Sequence, residues 1–183
     1  MPNRPSIAEE LFAKIMSHDG HANPVAFLRA MVNSQPPTVE SEFLDFKSAS
    51  LNGATISDND IKKTWSEALA GFATTGGGVL IWGVDARKPQ GATVDQASGF
   101  NLVLDPDGLK SRLQQLHHQA TDPPIPGVKI ESFPDPAENG HGFVVCYVPE
   151  SDYKPHRSEA SGKRWIMRVG DSFVDVPPSV LRN

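Results

Sequence analysis

The spacing of apolar and polar residues predicts that the chain contains both strands and helices. Residues 40–47 alternate between charged or polar and apolar side chains, the pattern of a half-buried strand. Residues 79–84 are apolar on both faces, which favours a central strand. A stripe of apolar residues at helical spacing runs from Ile61 to Phe72 and predicts an amphipathic helix that ends before a run of glycines.

The other elements follow from the same periodicities and from helix caps. The predicted helices cover 6–17, which begins with the capping box of Ser6 and Glu9, 24–33, and a segment after Asp105-Pro106. The predicted strands lie near 128–133 and 142–149, with a terminal hairpin over 164–169 and 171–176. Loops are predicted around Asn52-Gly53 and over 88–99, and a short helix after Pro177-Pro178. This order of elements predicts an α+β fold.

Periodicity also selects the side chains that form the core. In an extended 40–47 segment, Leu44 and Phe46 point to the same face, which makes that face the apolar one. The predicted core comprises Leu44, Phe46, Trp65, Leu69, Phe72, Leu80, Trp82, Val84, Leu113, Val144 and Cys146. Cys146 is the single cysteine, so no internal disulfide is expected, and its thiol is predicted to be buried and inert.

The opposite face of the 40–47 strand carries charged residues. Asp45 and Lys47 are expected to stand side by side on that face. Glu40 lies five residues before Asp45, which is an odd spacing, so a regular strand sends it to the other side. Glu40 joins Asp45 only if the chain bends or bulges near Ser41.

A run of three glycines at 76–78 precedes the apolar strand. The run lacks the Gly-x4-Gly-Lys-Ser/Thr and Gly-x-Gly-x-x-Gly patterns of phosphate-binding loops, so no nucleotide cofactor is expected. We interpret it as a helix stop followed by a tight turn that brings the backbone close to a neighbour. Asp85 lies where the apolar strand ends.

Several stretches together resemble the AlbA_2 domain of the Schlafen family. They are Glu-x4-Asp-Phe-Lys at 40–47, Phe-Ala-x-x-Gly-Gly-Gly-x-Leu-x-x-Gly-Val-Asp at 72–85, Val-Pro at 148–149, Pro-His at 155–156 and Arg-x-Gly at 168–170. The resemblance covers residues 38–176 and implies a mixed, mostly antiparallel sheet with helices packed on it. We therefore expect an AlbA_2-like domain at 38–183 with a short N-terminal helical extension at 1–37.

Glu40, Asp45 and Asp85 are the candidate catalytic acids. If the three carboxylates converge, they form a hard oxygen site for Mg²⁺ or Mn²⁺, and such an ion activates water for phosphodiester cleavage. Lys47 is the candidate group for neutralising the scissile phosphate. The resemblance implies the same set, because Schlafen-type nucleases have two acids five apart and a third at the end of the next strand. Asp45 stands where glutamate is common, and its shorter side chain reduces the reach toward a metal.

Other interpretations of these acids stay open. Asp45 and Lys47 also fit ordinary polar residues on a solvated strand face, with Asp85 as a turn former. A restriction-type Asp…Asp-x-Lys core is matched only by Asp45-x-Lys47, since no acid lies on a separate preceding strand. The alternative to a metal-dependent endonuclease is a non-catalytic DNA- or RNA-binding or regulatory module. A further alternative is an interaction module that uses residues 1–37 to hold a partner.

The charge distribution suggests where a nucleic acid binds. The formal net charge is −5, which argues mildly against nonspecific nucleic-acid binding, but basic residues concentrate between 154 and 168. The candidate nucleic-acid-binding residues there are Lys154, His156, Arg157, Arg164, Trp165 and Arg168. The cations suit phosphates, and Trp165 suits base stacking. The competing interpretation is an edge strand protected by charges, with Trp165 turned inward.

The expected partners and location follow from composition and from the resemblance. No apolar run approaches the ~20 residues of a transmembrane helix, and the N-terminus lacks a secretory signal, so a cytoplasmic location is expected. The resemblance implies RNA, or else DNA, as the ligand. It also implies a homodimer, because Schlafen nuclease cores resemble two AlbA_2-like lobes around one groove and this chain carries one lobe.

Overall fold

The computed structural model describes residues 4–51 and 54–181. The helices are α1 (Ile7–Ser17), α2 (Pro24–Val32), α3 (Asp58–Thr74) and α4 (Pro106–Ala120), with a short 3-10 helix at Pro136–Glu138. The strands are β1 (Leu44–Lys47), β2 (Ser50–Leu51), β3 (Ala54–Thr55), β4 (Gly78–Trp82), β5 (Val84–Arg87), β6 (Gln96–Phe100), β7 (Thr121–Asp122), β8 (Lys129–Pro134), β9 (Gly142–Val148), β10 (Arg157–Ser158), β11 (Arg164–Val169) and β12 (Ser172–Asp175). The predicted loop at Asn52-Gly53 lies outside the described residues.

Two four-stranded sheets organise the domain. The central sheet has the order β1-β4-β9-β8, in which β1 runs parallel to β4 and the other pairs are antiparallel. The second sheet has the order β12-β11-β10-β7 and is antiparallel throughout. Short pairs, β2 with β3 and β5 with β6, complete the strands. The predicted α+β fold with a mixed, mostly antiparallel sheet is confirmed.

Helices cover both faces of the central sheet. Leu80 and Trp82 of β4 face a core shared with α3 and α4, whereas Val79 and Ile81 face a core shared with α1 and α2. Every residue of the predicted core is buried, because the strand and helix periodicities placed each side chain on the correct face. Cys146 is buried as predicted, and burial raises the pKa of its thiol. The N-terminal helices therefore belong to the packing of the sheet.

Glycines set the ends of the elements around β4. Gly77 adopts φ +76°, and its N–H donates to the Phe72 carbonyl at 2.8 Å, which closes the end of α3. A Cβ there would lie 2.9 Å from the Val148 carbonyl oxygen, so the predicted close backbone approach is confirmed. Gly83 adopts φ +108° and divides the predicted 79–84 strand into β4 and the start of β5.

Two predictions of local structure are wrong. The predicted loop over 88–99 contains most of β6, whose Gln-Ala-Ser-Gly-Phe sequence lacks the apolar alternation of a strand and is held by pairing with β5. Residues 178–181 form a turn and not the short helix predicted after Pro177-Pro178.

Candidate metal centre

A tight turn before β1 folds Glu40 back onto that strand. Ser41 and Leu44 form a backbone bridge, in which the Ser41 N–H donates to the Leu44 carbonyl at 3.0 Å. The Phe46 N–H lies on β1, at the edge of the central sheet, and donates to Glu40 Oε1 at 3.0 Å. The chain therefore bends near Ser41, which is the condition under which Glu40 can join Asp45, and both residues line one cleft.

Arg168 reaches this turn from β11 and is buried with it. Its Nη1 donates to Asp45 Oδ1 at 3.0 Å, and its Nη2 lies 3.9 Å from Glu40 Oε2. Nε and Nη2 both donate to the Ser41 carbonyl, at 3.2 and 3.1 Å, and Nη2 also contacts the Leu44 carbonyl at 3.2 Å. Arg168 and Asp45 are each 1% exposed. Removing either partner of such a pair leaves an uncompensated buried charge.

Lys47 is the second cation beside Asp45. Its Nζ lies 2.7 Å from Asp45 Oδ2, which confirms that the two side chains share a face of β1. The Lys47 side chain is 32% exposed, so its ammonium group borders solvent while Asp45 does not. Asp45 thus lies between two positive charges, those of Lys47 and Arg168.

Asp85 takes part in a different network. It is half-buried at the start of β5, where the Ser48 hydroxyl donates to its Oδ1. Asn101 Nδ2 also donates to Asp85 Oδ1, at 3.3 Å. Ala86, the next residue, lines the cleft that contains Glu40. The structure therefore brings Glu40 and Asp45 to one cleft, and it places Asp85 among the polar side chains just beyond β1.

The acids that cluster around Glu40 come from the segment before β6 and from the turn between β11 and β12. Within residues 4–51 and 54–181, the group of acidic side chains whose oxygens all lie within 4.8 Å of one another is Glu40, Asp95 and Asp171. Backbone bonds connect them, since the Glu40 N–H donates to the Asp95 carbonyl at 2.8 Å and the Asp95 N–H donates to Asp171 Oδ2 at 3.1 Å. Lys88 Nζ lies 3.6 Å from Asp171 Oδ2. This group differs from the three acids selected from the sequence.

Glu40 has the most perturbed carboxyl group of the cleft. Burial raises the pKa of Glu40 to about 7, and the negative charge of Asp45 adds to the rise. The Phe46 N–H, Lys47 and Arg168 act in the opposite direction and do not cancel it. A carboxylate that is costly to ionise in the free protein gains most from a bound cation.

The chemistry of the cleft suits a hard cation. Its volume is about 430 Å³. It is lined by the carboxylates of Glu40, Asp45, Asp60, Asp95 and Asp171, by Lys47 and Arg168, and by the hydroxyls of Ser48, Ser50 and Thr64. Carboxylate and hydroxyl oxygens are the ligands that Mg²⁺ and Mn²⁺ prefer, and the donor set contains no soft ligand. Glu40, Asp95 and Asp171, here called the acidic cluster, fit such an ion.

Residues 154–168, here called the basic segment, contain five lysines and arginines, and four of these are engaged with acids, whereas Lys163 is exposed and has no such contact among the described residues. Lys154 pairs with Glu150. Arg157 lies 2.7 Å from Glu159 and 3.1 Å from Asp122. Arg164 lies 3.0 Å from Glu67 and 3.1 Å from Asp175. Arg168 is buried on Asp45, so it does not lie on an exposed face with the others.

The remaining candidates of the basic segment, His156 and Trp165, are buried and half-buried respectively. His156 is fully buried, its Nδ1 bonds the Pro123 carbonyl at 2.8 Å, and burial lowers the pKa of its imidazole. Trp165 is half-buried, with the Arg157 guanidinium 5.8 Å from its ring centroid. The roles of these residues in nucleic-acid binding stay predictions.

Sequence reasoning missed Asp95 and Asp171 because both resemble ordinary turn residues. Asp95 precedes β6, the strand that the sequence did not predict, and Asp171 lies in the turn between β11 and β12. The sequence contains a signal only for Asp171, because this residue comes directly after the Arg-x-Gly motif, which ends at Gly170. Asp95 approaches Glu40 through pairing of the backbone, which no local pattern reveals.

None of the helices in residues 4–51 and 54–181 combines the length and apolar character needed to cross a membrane.

The chain is similar to the DIP2311 protein from Corynebacterium diphtheriae, with 24% identity, a TM-score of 0.45, and coverage of 74% of this chain and 22% of that one. It is also similar to the N-terminal domain of a RecG-related protein from Nitrosomonas europaea, with 21% identity, a TM-score of 0.46, and coverage of 74% and 81%.

No curated protein matches the chain. A protein family, in contrast, matches most of the chain. The family described as Schlafen, AlbA_2 matches residues 40–176, a range that begins at Glu40 and includes the acidic cluster, Arg168 and both sheets. The resemblance seen in the sequence motifs is confirmed, and the chain belongs to the Schlafen AlbA_2 family.

Proposed function

We propose that the chain is a divalent-metal-dependent endonuclease domain that cleaves structured RNA, with one Mg²⁺ or Mn²⁺ bound by Glu40, Asp95 and Asp171. Membership of the Schlafen AlbA_2 family indicates a role connected with nucleic acids. The observation that carries the proposal is the convergence of three carboxylates within 4.8 Å in an open cleft. Glu40 keeps the role expected from the sequence, while Asp45 and Asp85 act as supporting groups.

A cation is required because the cleft repels phosphate without one. Five carboxylates line it against the cations Lys47 and Arg168, and Arg168 is already paired with Asp45. A phosphodiester brought to this surface meets net negative charge and binds only if that charge is neutralised. The acidic cluster is therefore better suited to a metal-bound phosphate than to a phosphate alone.

Each side chain of the cleft has a role that its position supports. When bound, the cation polarises the phosphate and lowers the pKa of the attacking water. In the metal-free protein Glu40 has a pKa of about 7, so a cation bound by its carboxylate would take the place of a proton near neutral pH. Lys47 borders solvent beside Asp45, so its ammonium group can contact a non-bridging phosphate oxygen. Ser48, which lines the cleft, donates to the Asp85 carboxylate and so holds that acid just beyond β1.

The second candidate is a nucleic-acid-binding or regulatory module without catalysis. It is favoured by one specific observation, namely that Asp45 is neutralised by Arg168 and Lys47 and that Asp85 bonds Ser48 and Asn101. Two of the three acids selected from the sequence are then occupied by protein groups. In this case the acidic cluster holds a structural cation, and RNA or DNA binds elsewhere.

The decisive experiment compares carboxylate-to-amide variants at matched positions. Asp171→Asn removes a charge from the acidic cluster. Asp85→Asn removes one of the three acids that were selected from the sequence. Asp152→Asn changes an exposed acid and is the control. The substrates are an RNA hairpin and a DNA hairpin of the same sequence, incubated with Mg²⁺, Mn²⁺ or EDTA. We expect cleavage of RNA that requires the metal and falls at least about a hundredfold in Asp171→Asn.

The other outcomes distinguish the candidates. Loss of cleavage in Asp85→Asn but not in Asp171→Asn would indicate that the metal is bound by the acids selected from the sequence and not by the acidic cluster. Absence of cleavage with either metal, together with retained hairpin binding, would leave the non-catalytic module. Equal cleavage by the wild type and all variants would indicate a contaminating nuclease. A homodimer and a cytoplasmic location, both expected from the sequence, stay predictions.

A further inference from the structure

We propose that Arg168 is the positioning residue of the cleft, because its guanidinium closes the turn from Ser41 to Leu44 and the closed turn places the Glu40 carboxylate beside Asp95 and Asp171. The inference rests on the proposed function in treating Glu40 as a cation ligand. It adds a residue that touches neither metal nor substrate and acts through another side chain.

The geometry of the guanidinium explains how the turn is closed. Its donors reach both ends of the turn, with two bonds to the Ser41 carbonyl and one to the Leu44 carbonyl. The planar fork of arginine makes these bonds while Nη1 donates to Asp45. A lysine ammonium at the same place has the charge but lacks the width to contact all three oxygens. The interaction therefore depends on shape as well as on charge.

Arg168 is held in place independently of the turn. Its guanidinium carbon lies 4.4 Å from the ring centroid of Phe173 and 5.5 Å from that of Phe72. Its backbone N–H donates to Thr75 Oγ1 at 2.9 Å, which ties β11 to the end of α3. The side chain is thus held by the core as well as by its bonds to the turn. Such support from groups outside the turn is what a positioning residue requires.

The same hairpin supplies part of the acidic cluster. Asp171 lies three residues after Arg168, in the turn between β11 and β12. Asp95 is tied to Asp171 by its N–H and to Glu40 by its carbonyl. One hairpin therefore carries a cluster carboxylate and, through Arg168, sets the distance of Glu40 from it.

The test uses arginine-to-lysine variants at two positions of one strand. Arg168→Lys retains the charge and loses the fork, and Arg164→Lys is the matched control at an exposed position of β11. Hydrogen exchange of the Phe46 amide, whose N–H bonds Glu40, reports the position of that carboxylate. Mn²⁺ affinity, measured by electron paramagnetic resonance, reports the acidic cluster. In Arg168→Lys we expect Phe46 to exchange about tenfold faster and Mn²⁺ to bind about tenfold more weakly than in the control.

The outcomes separate this proposal from the proposed function. If the wild type binds no Mn²⁺, the proposed function fails, and the exchange of the Phe46 amide alone decides the role of Arg168. A folded Arg168→Lys protein with the exchange rate of the control overturns the proposal. If Arg168→Lys does not fold, the charge-neutral double variant Asp45→Asn, Arg168→Met replaces it, since losing both partners of a buried pair costs less than losing one. Unchanged Phe46 exchange in that variant overturns the proposal as well.

Discussion

The acidic cleft and the basic segment differ in how completely their charges are compensated. Four of the basic side chains in the segment, Lys154, Arg157, Arg164 and Arg168, each contact an acid. Several of those acids are distant in sequence, such as Glu67 for Arg164 and Asp122 for Arg157. The positive charge that is concentrated in this part of the sequence is therefore largely compensated by acids in the folded protein.

The cleft shows the reverse relation. Its acids come from separate stretches of the chain, of which only the 40–47 stretch, with Glu40 and Asp45, is marked in the sequence. Folding brings Glu40, Asp95 and Asp171 together and leaves Glu40 with a pKa of about 7. A buried acid without a compensating cation lowers the stability of the fold, so selection for stability alone would remove it. Such an acid is therefore a better indication of a functional site than a run of like charges along the chain.

The largest effect is expected from breaking the buried ion pair. Arg168→Ala leaves the Asp45 carboxylate buried, with Lys47 as its remaining cation, and should lower the free energy of unfolding by about 3–5 kcal/mol. Arg164→Ala removes an exposed pair with Glu67 and should cost about 1 kcal/mol or less. Urea denaturation measures both. Similar losses in the two variants would contradict the contrast between cleft and segment.

The next effect comes from the Glu40 carboxyl group in the metal-free protein. Its pKa is about 7 when folded and 4.5 when unperturbed, so its contribution to stability is present below about pH 4.5 and is lost as the pH rises to about 7. Glu40→Gln keeps an oxygen for the Phe46 N–H and cannot ionise. It should therefore raise the free energy of unfolding by up to about 3 kcal/mol at about pH 8, and by much less at about pH 4.

The control for Glu40→Gln is the same change at Glu42, which is exposed in the turn. Denaturant melts of both variants in EDTA, at the two pH values, measure the difference. Equal stabilisation by Glu40→Gln at both pH values would show that Glu40 ionises at an ordinary pKa and would remove the electrostatic contrast.

Cation affinity should depend on pH for the same reason. A proton on Glu40 competes with the metal, so Mn²⁺ should bind about tenfold more weakly for each pH unit below about 7 and with constant affinity above it. Titrations followed by electron paramagnetic resonance across this range measure the dependence. A flat profile would indicate that the ion does not displace a proton from Glu40. In Glu40→Gln the residual affinity should lose the dependence.

Much of the fold was predictable from the sequence, because local periodicity reports which side is buried. The alternation in β1 placed Leu44 and Phe46 inside and Asp45 beside Lys47, and the structure agrees. The same alternation in β11 puts Arg168 on the side of buried Ile166, a signal that the basic composition of the segment obscured.

The rest of the site depends on contacts between distant residues. Asp171 lies in a turn and Asp95 lies in the irregular segment before β6, where aspartate is common for local reasons, so nothing in their neighbourhood marks them apart from the Arg-x-Gly motif before Asp171. Asp85 lies within β5 and not at the end of the predicted strand, because the break at Gly83 ends β4 at Trp82 and leads Asp85 into pairing with β6, away from the acidic cluster. Sequence patterns therefore gave the strand faces but not the partners of each acid.

The smallest effect is expected from freeing a cation of the basic segment. Glu67→Gln removes one of the two acids that hold Arg164, which leaves Asp175. If the segment contacts RNA, the freed guanidinium should strengthen hairpin binding a few-fold and steepen the slope of log affinity against log salt by about one. Fluorescence anisotropy at several salt concentrations measures both quantities.

The control for this last change is Glu10→Gln, which removes an exposed acid from α1 and alters the net charge by the same amount. A steeper slope in Glu67→Gln alone would place Arg164 at the RNA interface and show that its acid partners limit binding. Each phosphate contact that Arg164 makes releases counterions and steepens the slope. Equal slopes in both variants would therefore mean that Arg164 makes no such contact and that the ion pairs of the basic segment serve the fold.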